Sequence, residues 1–243
     1  MAETEVGVSD TTSYFEPRDG TQPEYLHRPY RSTLKRAPEQ PPVRIPASAS
    51  ELTGPRVGAR DLAGGSWDLT AGSRGEPLGE RIQIGGRVID ENGRPVAHTL
   101  IEIWQCNAAG RYLHAGDQHD APLDPCFTGQ GRVLTDEHGR YRFKTVRPGA
   151  YPWRNHYNAW RPAHVHFSLF GACFATRLVT QMYFHGDPLL ELDPIYNGIA
   201  DARARARMVA SLDFEHSQPE YALGYRFDLC LRGRAETPWE RAK

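Results

Sequence analysis

The feature that most constrains the fold is a series of short runs rich in β-branched and aromatic residues, closely spaced and separated by turn signals. The runs are Arg81–Ile89, Thr99–Trp104, Tyr141–Val146, His164–Phe170, Leu178–Phe184 and Tyr225–Leu231, each of the length and composition expected of a strand. Between them lie Asp90-Glu91-Asn92-Gly93 and Asp136-Glu137-His138-Gly139, where Asn or His before Gly tolerates the backbone of a tight reversal. Strands of this kind must bury one face each, and the predicted architecture is an all-β, antiparallel β-sandwich. One stretch, Asp201–Leu212 (DARARARMVASL), is rich in Ala and Arg with no breaker. It predicts a single short helix near the C-terminus, covering an edge or end of the sandwich.

Upstream of the strands the texture differs. From Met1 to about Gly85 the chain is rich in Pro, Arg, Ser and Gly, with only short apolar stretches such as Val43 to Ile45, so residues 1–80 are predicted to be an irregular arm, ordered by what it packs against. Residues 81–243 then form the sandwich domain. With 243 residues, 39% of them hydrophobic, one core of ordinary size is available. A formal charge of −1 gives no reason to expect nucleic acid or an anionic membrane as partner. No run reaches the roughly 18 apolar residues of a membrane span, and the polar, acidic start from Met1 to Thr12 does not read as a secretory signal. A cytoplasmic address is expected. Cys106, Cys126, Cys173 and Cys230 stand far apart without a CxxC pair, and suggest neither a zinc cluster nor a disulfide framework.

The most informative segment is Arg161-Pro162-Ala163-His164-Val165-His166-Phe167. Side chains two apart on a strand project from the same face, so the two imidazoles converge. Alone, such a pair also fits a polar surface face or a satisfied buried pair. As a metal site it leaves zinc, copper and iron open, since imidazole suits several first-row ions.

Two upstream blocks narrow the choice: Trp104-Gln105-Cys106-Asn107-Ala108-Ala109-Gly110-Arg111-Tyr112, and Pro148-Gly149-Ala150-Tyr151-Pro152-Trp153-Arg154. In order, W-Q-x-N-x-x-G-x-Y, then P-G-x-Y-P-W-R-N, then W-R-P-A-H-x-H-F resemble the intradiol ring-cleavage dioxygenases of the protocatechuate 3,4-dioxygenase type, and among these the iron-bearing β chains. The resemblance runs from about Tyr30 through Trp239, taking in Ile45 to Pro55, Gly79-Glu80-Arg81-Ile82 and Gln181 to Pro188. The chain departs from the pattern in its first twenty-odd residues and in Leu113 to His119, beside a candidate ligand, where substrate preference is affected more than metal binding.

The resemblance implies that Tyr112, Tyr151, His164 and His166 ligate Fe(3+), with Tyr151 doubling as ligand and base. It implies that Arg161 stabilises anionic character on the catechol ring, that Gln181 supports the substrate site, and that Tyr30 reaches the ring substituent. The tryptophans pack around the site, with Trp153 against the substrate. The chemistry agrees with this independently. Phenolate oxygens are hard anionic donors suited to ferric iron, a trivalent cation favours the deprotonated phenol, and a guanidinium keeps its charge in a protein. The implied reaction is intradiol cleavage of a catechol by O2, protocatechuate giving 3-carboxy-cis,cis-muconate in the β-ketoadipate pathway of aromatic catabolism. The implied partner is a homologous α subunit in a hetero-oligomer. Catechol or a sulfocatechol as substrate, or a metal-free β-sandwich binding module, are the alternatives. Taken singly, Tyr112 and Tyr151 would read as packing residues. His27, His98, His114, His119, His138, His156, His185 and His216 read as solvent or turn residues, although His114 follows Tyr112 closely enough to line a pocket there.

Overall fold

Strand β1, Arg81–Ile89, alternates so that Ile82 and Ile84 are fully buried. It pairs antiparallel with β4, Arg140–Val146, whose Tyr141, Phe143 and Thr145 turn inward while Arg140 and Arg142 face solvent. This is the period-two pattern of a strand with one wet face. The computed structural model describes residues 18–43, 67–72, 75–156, 160–170 and 177–240. The apolar stretch at 43–45 lies largely outside these, and the 45–55 stretch and Cys173 entirely so.

The remaining strands are β2, Leu100–Trp104; β3, Gln130–Leu134; β5, Tyr151–Pro152; β6, Trp160–Arg161; β7, His164–Phe170; β8, Arg177–Phe184; β9, Val209–Leu212; β10, Leu223–Arg226; and β11, Leu229–Cys230. One group runs β4-β1-β10, with β11 against the end of β1, and the other runs β3-β2-β7-β8. Strand β9 joins them, pairing with β10 at Leu212 and with β8 at Val209. The two groups face one another through aromatic side chains. Phe143 and Tyr141 of the first meet Phe167 of the second edge-on, with ring centroids 5.9 and 6.0 Å apart, and Phe227 lies 5.2 Å from Phe167. Such tilted contacts add to the burial of large rings, and with Ile82, Ile84, Ile101, Ile103 and Leu169 they make one core.

The β-sandwich stands, with corrections. The sheets are mixed, because β1 pairs parallel with β10 and β11, and β8 pairs parallel with β9. The helix expected over Asp201–Leu212 stops early: a short helix covers Ala202–Ala206, capped by Asp201 accepting from the Ala204 amide at 2.8 Å, and Val209–Leu212 is strand β9. Helix propensity is a weak prior, and here backbone pairing on both sides of residues 209–212 outweighs it. Nor is that helix alone, since short helices also form at Thr33–Arg36 and Pro194–Asn197. Strand β3 and the two-residue ribbon β5–β6 were not foreseen. The described part of the arm docks on the sandwich: the Arg31 amide donates to Asn155, Gly20 accepts from the Asp201 amide, and the Leu69 amide donates to Lys144 on β4. Among the described residues no helix is long and apolar enough to cross a membrane.

Glu236 yields a pH-dependent prediction. It is only 5% exposed, one of its carboxyl oxygens has no hydrogen-bond partner, and burial pushes its pKa from 4.5 up to about 8. The folded chain therefore holds a proton there that the unfolded chain releases above about 4.5, so this group's contribution to stability falls as pH rises from about 4.5 to about 8 and is level beyond. Glu236→Gln should melt close to wild type at pH 5 and several degrees higher at pH 9, since about 1 kcal/mol moves a domain of this size by roughly 2–4 °C. Parallel melting curves for the two proteins across that pH range would contradict it.

Candidate active site

Strand β7 lies between β2 and β8 and is buried on both faces. Val165, Phe167 and Leu169 enter the core, so His164, His166 and Ser168 occupy the opposite face. Cross-strand register brings His164 beside Tyr183, and His166 between Gln181 and Trp104. The indole of Trp104 stacks flat on the His166 ring, centroids 4.7 Å apart and planes 5° apart.

The two tyrosines arrive on loops tied together by the motif residues that precede them. The Asn107 side chain accepts from the Ala109 and Arg111 amides, and its carbonyl accepts from the Gly149 amide. Gln105 donates to the Val146 carbonyl and accepts from Thr145. Gly110 has φ +81°, and a Cβ there would collide with the Ala150 carbonyl oxygen; a Cβ on Gly149 would meet the Ala108 carbonyl. Only glycine permits so close an approach of the two backbones. Asp117 then accepts the Tyr112 amide at 2.7 Å.

Four rings converge as a result. Tyr112 and Tyr151 meet edge-on at 5.3 Å between centroids, Tyr151 and His164 lie 5.4 Å apart, and His164 and His166 4.8 Å apart. The Tyr151 hydroxyl is 3.4 Å from His164 Nε2. Both imidazoles engage Nδ1 away from the cluster, His164 with the Pro162 carbonyl at 2.7 Å and His166 with the Glu240 carboxylate at 2.9 Å. This arrangement places the ring proton on Nδ1 and leaves Nε2 unprotonated, its lone pair available to a cation. Burial, assisted by Arg161 and His166, holds His164 well below its ordinary pKa and hence neutral. Burial likewise raises both phenols, and for Tyr112 the neighbouring Tyr151 adds to the effect. The buried Tyr112 hydroxyl makes no well-formed hydrogen bond and has the Tyr151 hydroxyl as its polar neighbour, a weak arrangement for an interior polar group. Two phenol oxygens and two imidazole nitrogens so arranged would suit a hard, highly charged cation, which would also reverse the upward shift of the phenols.

Arg161, on β6, faces Tyr151 across the β5–β6 ribbon. It is fully buried and held by Asp193, Nε to Oδ1 at 2.8 Å and Nη2 to Oδ2 at 3.1 Å, while Nη2 also donates to Gln181 Oε1 and to Tyr183 Oη. Burial opposes its charge, and Asp193 together with Tyr183 and Tyr151 more than compensates. Nη1 takes part in none of these bonds. The guanidinium carbon lies 5.1 Å over the Trp153 ring.

These groups border a cavity of about 950 Å³ whose lining includes Tyr30, Tyr112, Tyr151, Trp153, Arg161 and His166. Tyr30 reaches it from the arm and packs on Trp153 at 5.0 Å. Gln181 lies buried behind Arg161 and is not among the lining residues. Trp160 stands at the rim, 45% exposed, against the cavity-lining His119. His156 is buried rather than solvent-facing, whereas His114 and His119 line the cavity. Cys106, Cys126 and Cys230 are free thiols, and burial pushes Cys106 up to about 12, which leaves it unreactive. Asp193 and Glu240, both integral to the site, were not anticipated. Asp193-Pro194 carries a helix-start signal, but nothing local indicates which side chain Asp193 holds.

Comparison with known proteins shows the family. A family profile described as dioxygenase matches residues 52–233, and one described as protocatechuate 3,4-dioxygenase beta subunit N terminal matches residues 15–48. The chain is 54% identical over 235 residues to the protocatechuate 3,4-dioxygenase beta chain of Burkholderia cepacia, covering 96% of this chain and 100% of that one. It is 28% identical to the protocatechuate 3,4-dioxygenase alpha chain of Pseudomonas putida, over 79% of this chain and 95% of the other. Among solved structures, 3-chlorocatechol 1,2-dioxygenase from Rhodococcus opacus 1CP superposes with a TM-score of 0.50 at 26% identity, over 68% of this chain and 64% of that one.

Proposed function

Because the chain belongs to the intradiol ring-cleavage dioxygenase family, on the branch of the protocatechuate 3,4-dioxygenase β chains, we propose that it is the catalytic chain of an enzyme opening a catechol ring between its two hydroxyl-bearing carbons. Protocatechuate is the substrate and 3-carboxy-cis,cis-muconate the product. The observation that carries this reading is the convergence of Tyr112, Tyr151, His164 and His166 beside a cavity, with the Tyr112 hydroxyl buried and without a well-formed hydrogen bond. Those four residues would hold ferric iron. When bound there, Fe(3+) would supply a Lewis acid that draws electron density from a catecholate and opens the ring to attack by O2.

The remaining work falls to this chain's own groups. Tyr151 lines the cavity, and in the phenolate form that a bound cation would favour its oxygen could accept the proton of an entering catechol hydroxyl and leave as the neutral phenol. Arg161, already charged and oriented by Asp193, needs no reorganisation to stabilise the anionic ring, with Nη1 as the donor left over. Trp153 and Tyr30 form one wall against the substrate and help exclude water. A carboxylate on the ring would meet Tyr30 and the other guanidinium of the lining, Arg154.

We further propose that a homologous α subunit completes the pocket, as the similarity to both chain types suggests. Leu113, on the cavity lining and 57% exposed, and Trp160 are apolar surface that such a partner would cover. The chain co-expressed with an α-like subunit should consume O2 and protocatechuate in equal amounts, and turn over catechol and sulfocatechol more slowly. Equal or better rates on catechol would overturn the substrate assignment, and no uptake on any catechol by iron-loaded protein would overturn the activity.

A further inference from the structure

The last described residues run back into the site. The Glu240 amide donates to the Val179 carbonyl at 2.6 Å, and Thr180 Oγ1 donates to the Pro238 carbonyl at 2.6 Å, so residues 238–240 lie along β8. Behind them Thr237 is tied to Cys230 by its amide, at 3.0 Å, and by its hydroxyl, at 2.9 Å. On the other side stands the arm. Gln22 accepts from the Trp239 amide at 2.8 Å and donates to the Thr237 carbonyl at 3.5 Å. One side chain from near the start of the chain thus brackets the segment that ends in Glu240.

Glu240 Oε2 is 2.9 Å from His166 Nδ1, and the two side chains are only 15% and 10% exposed. His166 is consequently fixed twice, on its face by Trp104 and at its edge by Glu240. His164, by contrast, has a neutral backbone carbonyl at the same position. A carboxylate accepting from Nδ1–H orients an imidazole and strengthens its other nitrogen as a donor.

We propose that Glu240 is the positioning residue of His166 and that Gln22 holds it in place, so that the metal site is assembled from both ends of the chain. The inference rests on the reading of His166 as an iron ligand. The test follows Fe(3+) release to a chelator from the full-length, iron-loaded protein, together with the visible spectrum and the melting temperature of the iron-free form. Glu240→Ala should release iron faster by roughly 10- to 100-fold, the usual effect of losing such an outer partner. Glu240→Gln keeps an acceptor oxygen and should recover much of that loss. Gln22→Ala should shift release in the same direction by less. Wild-type release and spectrum in Glu240→Ala, or a change confined to melting temperature, would overturn the positioning role. Faster release in Glu240→Ala with wild-type release in Gln22→Ala would overturn the part given to the arm. The metal reading fails separately, if His166→Ala itself retains iron.

Discussion

His164→Ala is expected to purify nearly free of iron and without visible colour. The imidazole is completely buried, its Nδ1 is committed to the Pro162 carbonyl, and its Nε2 lies 3.4 Å from the Tyr151 hydroxyl. Alanine removes one of four donors and offers no replacement from solvent. Loss of an outer partner alone typically weakens metal binding by roughly 10–100-fold, so loss of a direct donor should cost at least about 100-fold. Ring cleavage should disappear with the metal. Because the side chain also packs against Tyr183 and Tyr151, melting of the iron-free protein should be compared alongside, to separate a lost donor from a loosened fold. Iron content near wild type in a folded His164→Ala protein would remove this residue from the metal site.

Arg161→Ala should behave in the opposite way, keeping iron and colour while losing turnover. A preorganised donor of this kind contributes roughly 2–4 kcal/mol to a transition state, or about 30- to 1,000-fold in kcat/KM. The structure adds a second effect. Asp193 is fully buried and loses its cation, and breaking one side of a buried pair costs on the order of 3–5 kcal/mol. At roughly 2–4 °C per kcal/mol for a domain of this size, the melting temperature should fall noticeably. The double variant Arg161→Leu/Asp193→Asn separates the two effects. Asparagine leaves an oxygen to accept from the Tyr196 amide, so stability should largely return while turnover stays low. Turnover restored together with stability would mean that Arg161 acts only through the fold.

Local signals carried far in some places and failed in others for identifiable reasons. Strands β1 and β7 have the bounds their β-branched and aromatic runs imply, Arg81–Ile89 and His164–Phe170, because their core-facing side chains are strongly apolar and mark the whole length of each strand. Strand β3 offers only Val133 and Leu134 as apolar residues, and it exists because β2 pairs with it along its whole length. Residues 209–212 have helical composition but complete the junction between the two strand groups, which no local window records. At the site, the four rings that the motif resemblance singles out do converge, because the motifs also contain the scaffolding: Gln105, Asn107, Gly110 and Gly149 tie the loops that present the tyrosines. Asp193 and Glu240 were not readable. Each meets its partner from a distant part of the chain, and a lone acidic residue near a Pro or near a chain end does not reveal which cation or imidazole it will meet.

The most direct measurement of the central assignment is a resonance Raman spectrum of the iron-loaded protein, excited in its visible band, for wild type, Tyr112→Phe and Tyr151→Phe. If Tyr112 and Tyr151 are phenolate donors to ferric iron beside His164 and His166, wild type shows enhanced phenolate vibrations from both, and each substitution removes one set. An iron-loaded protein without phenolate vibrations, or a spectrum that neither substitution alters, would contradict the assignment.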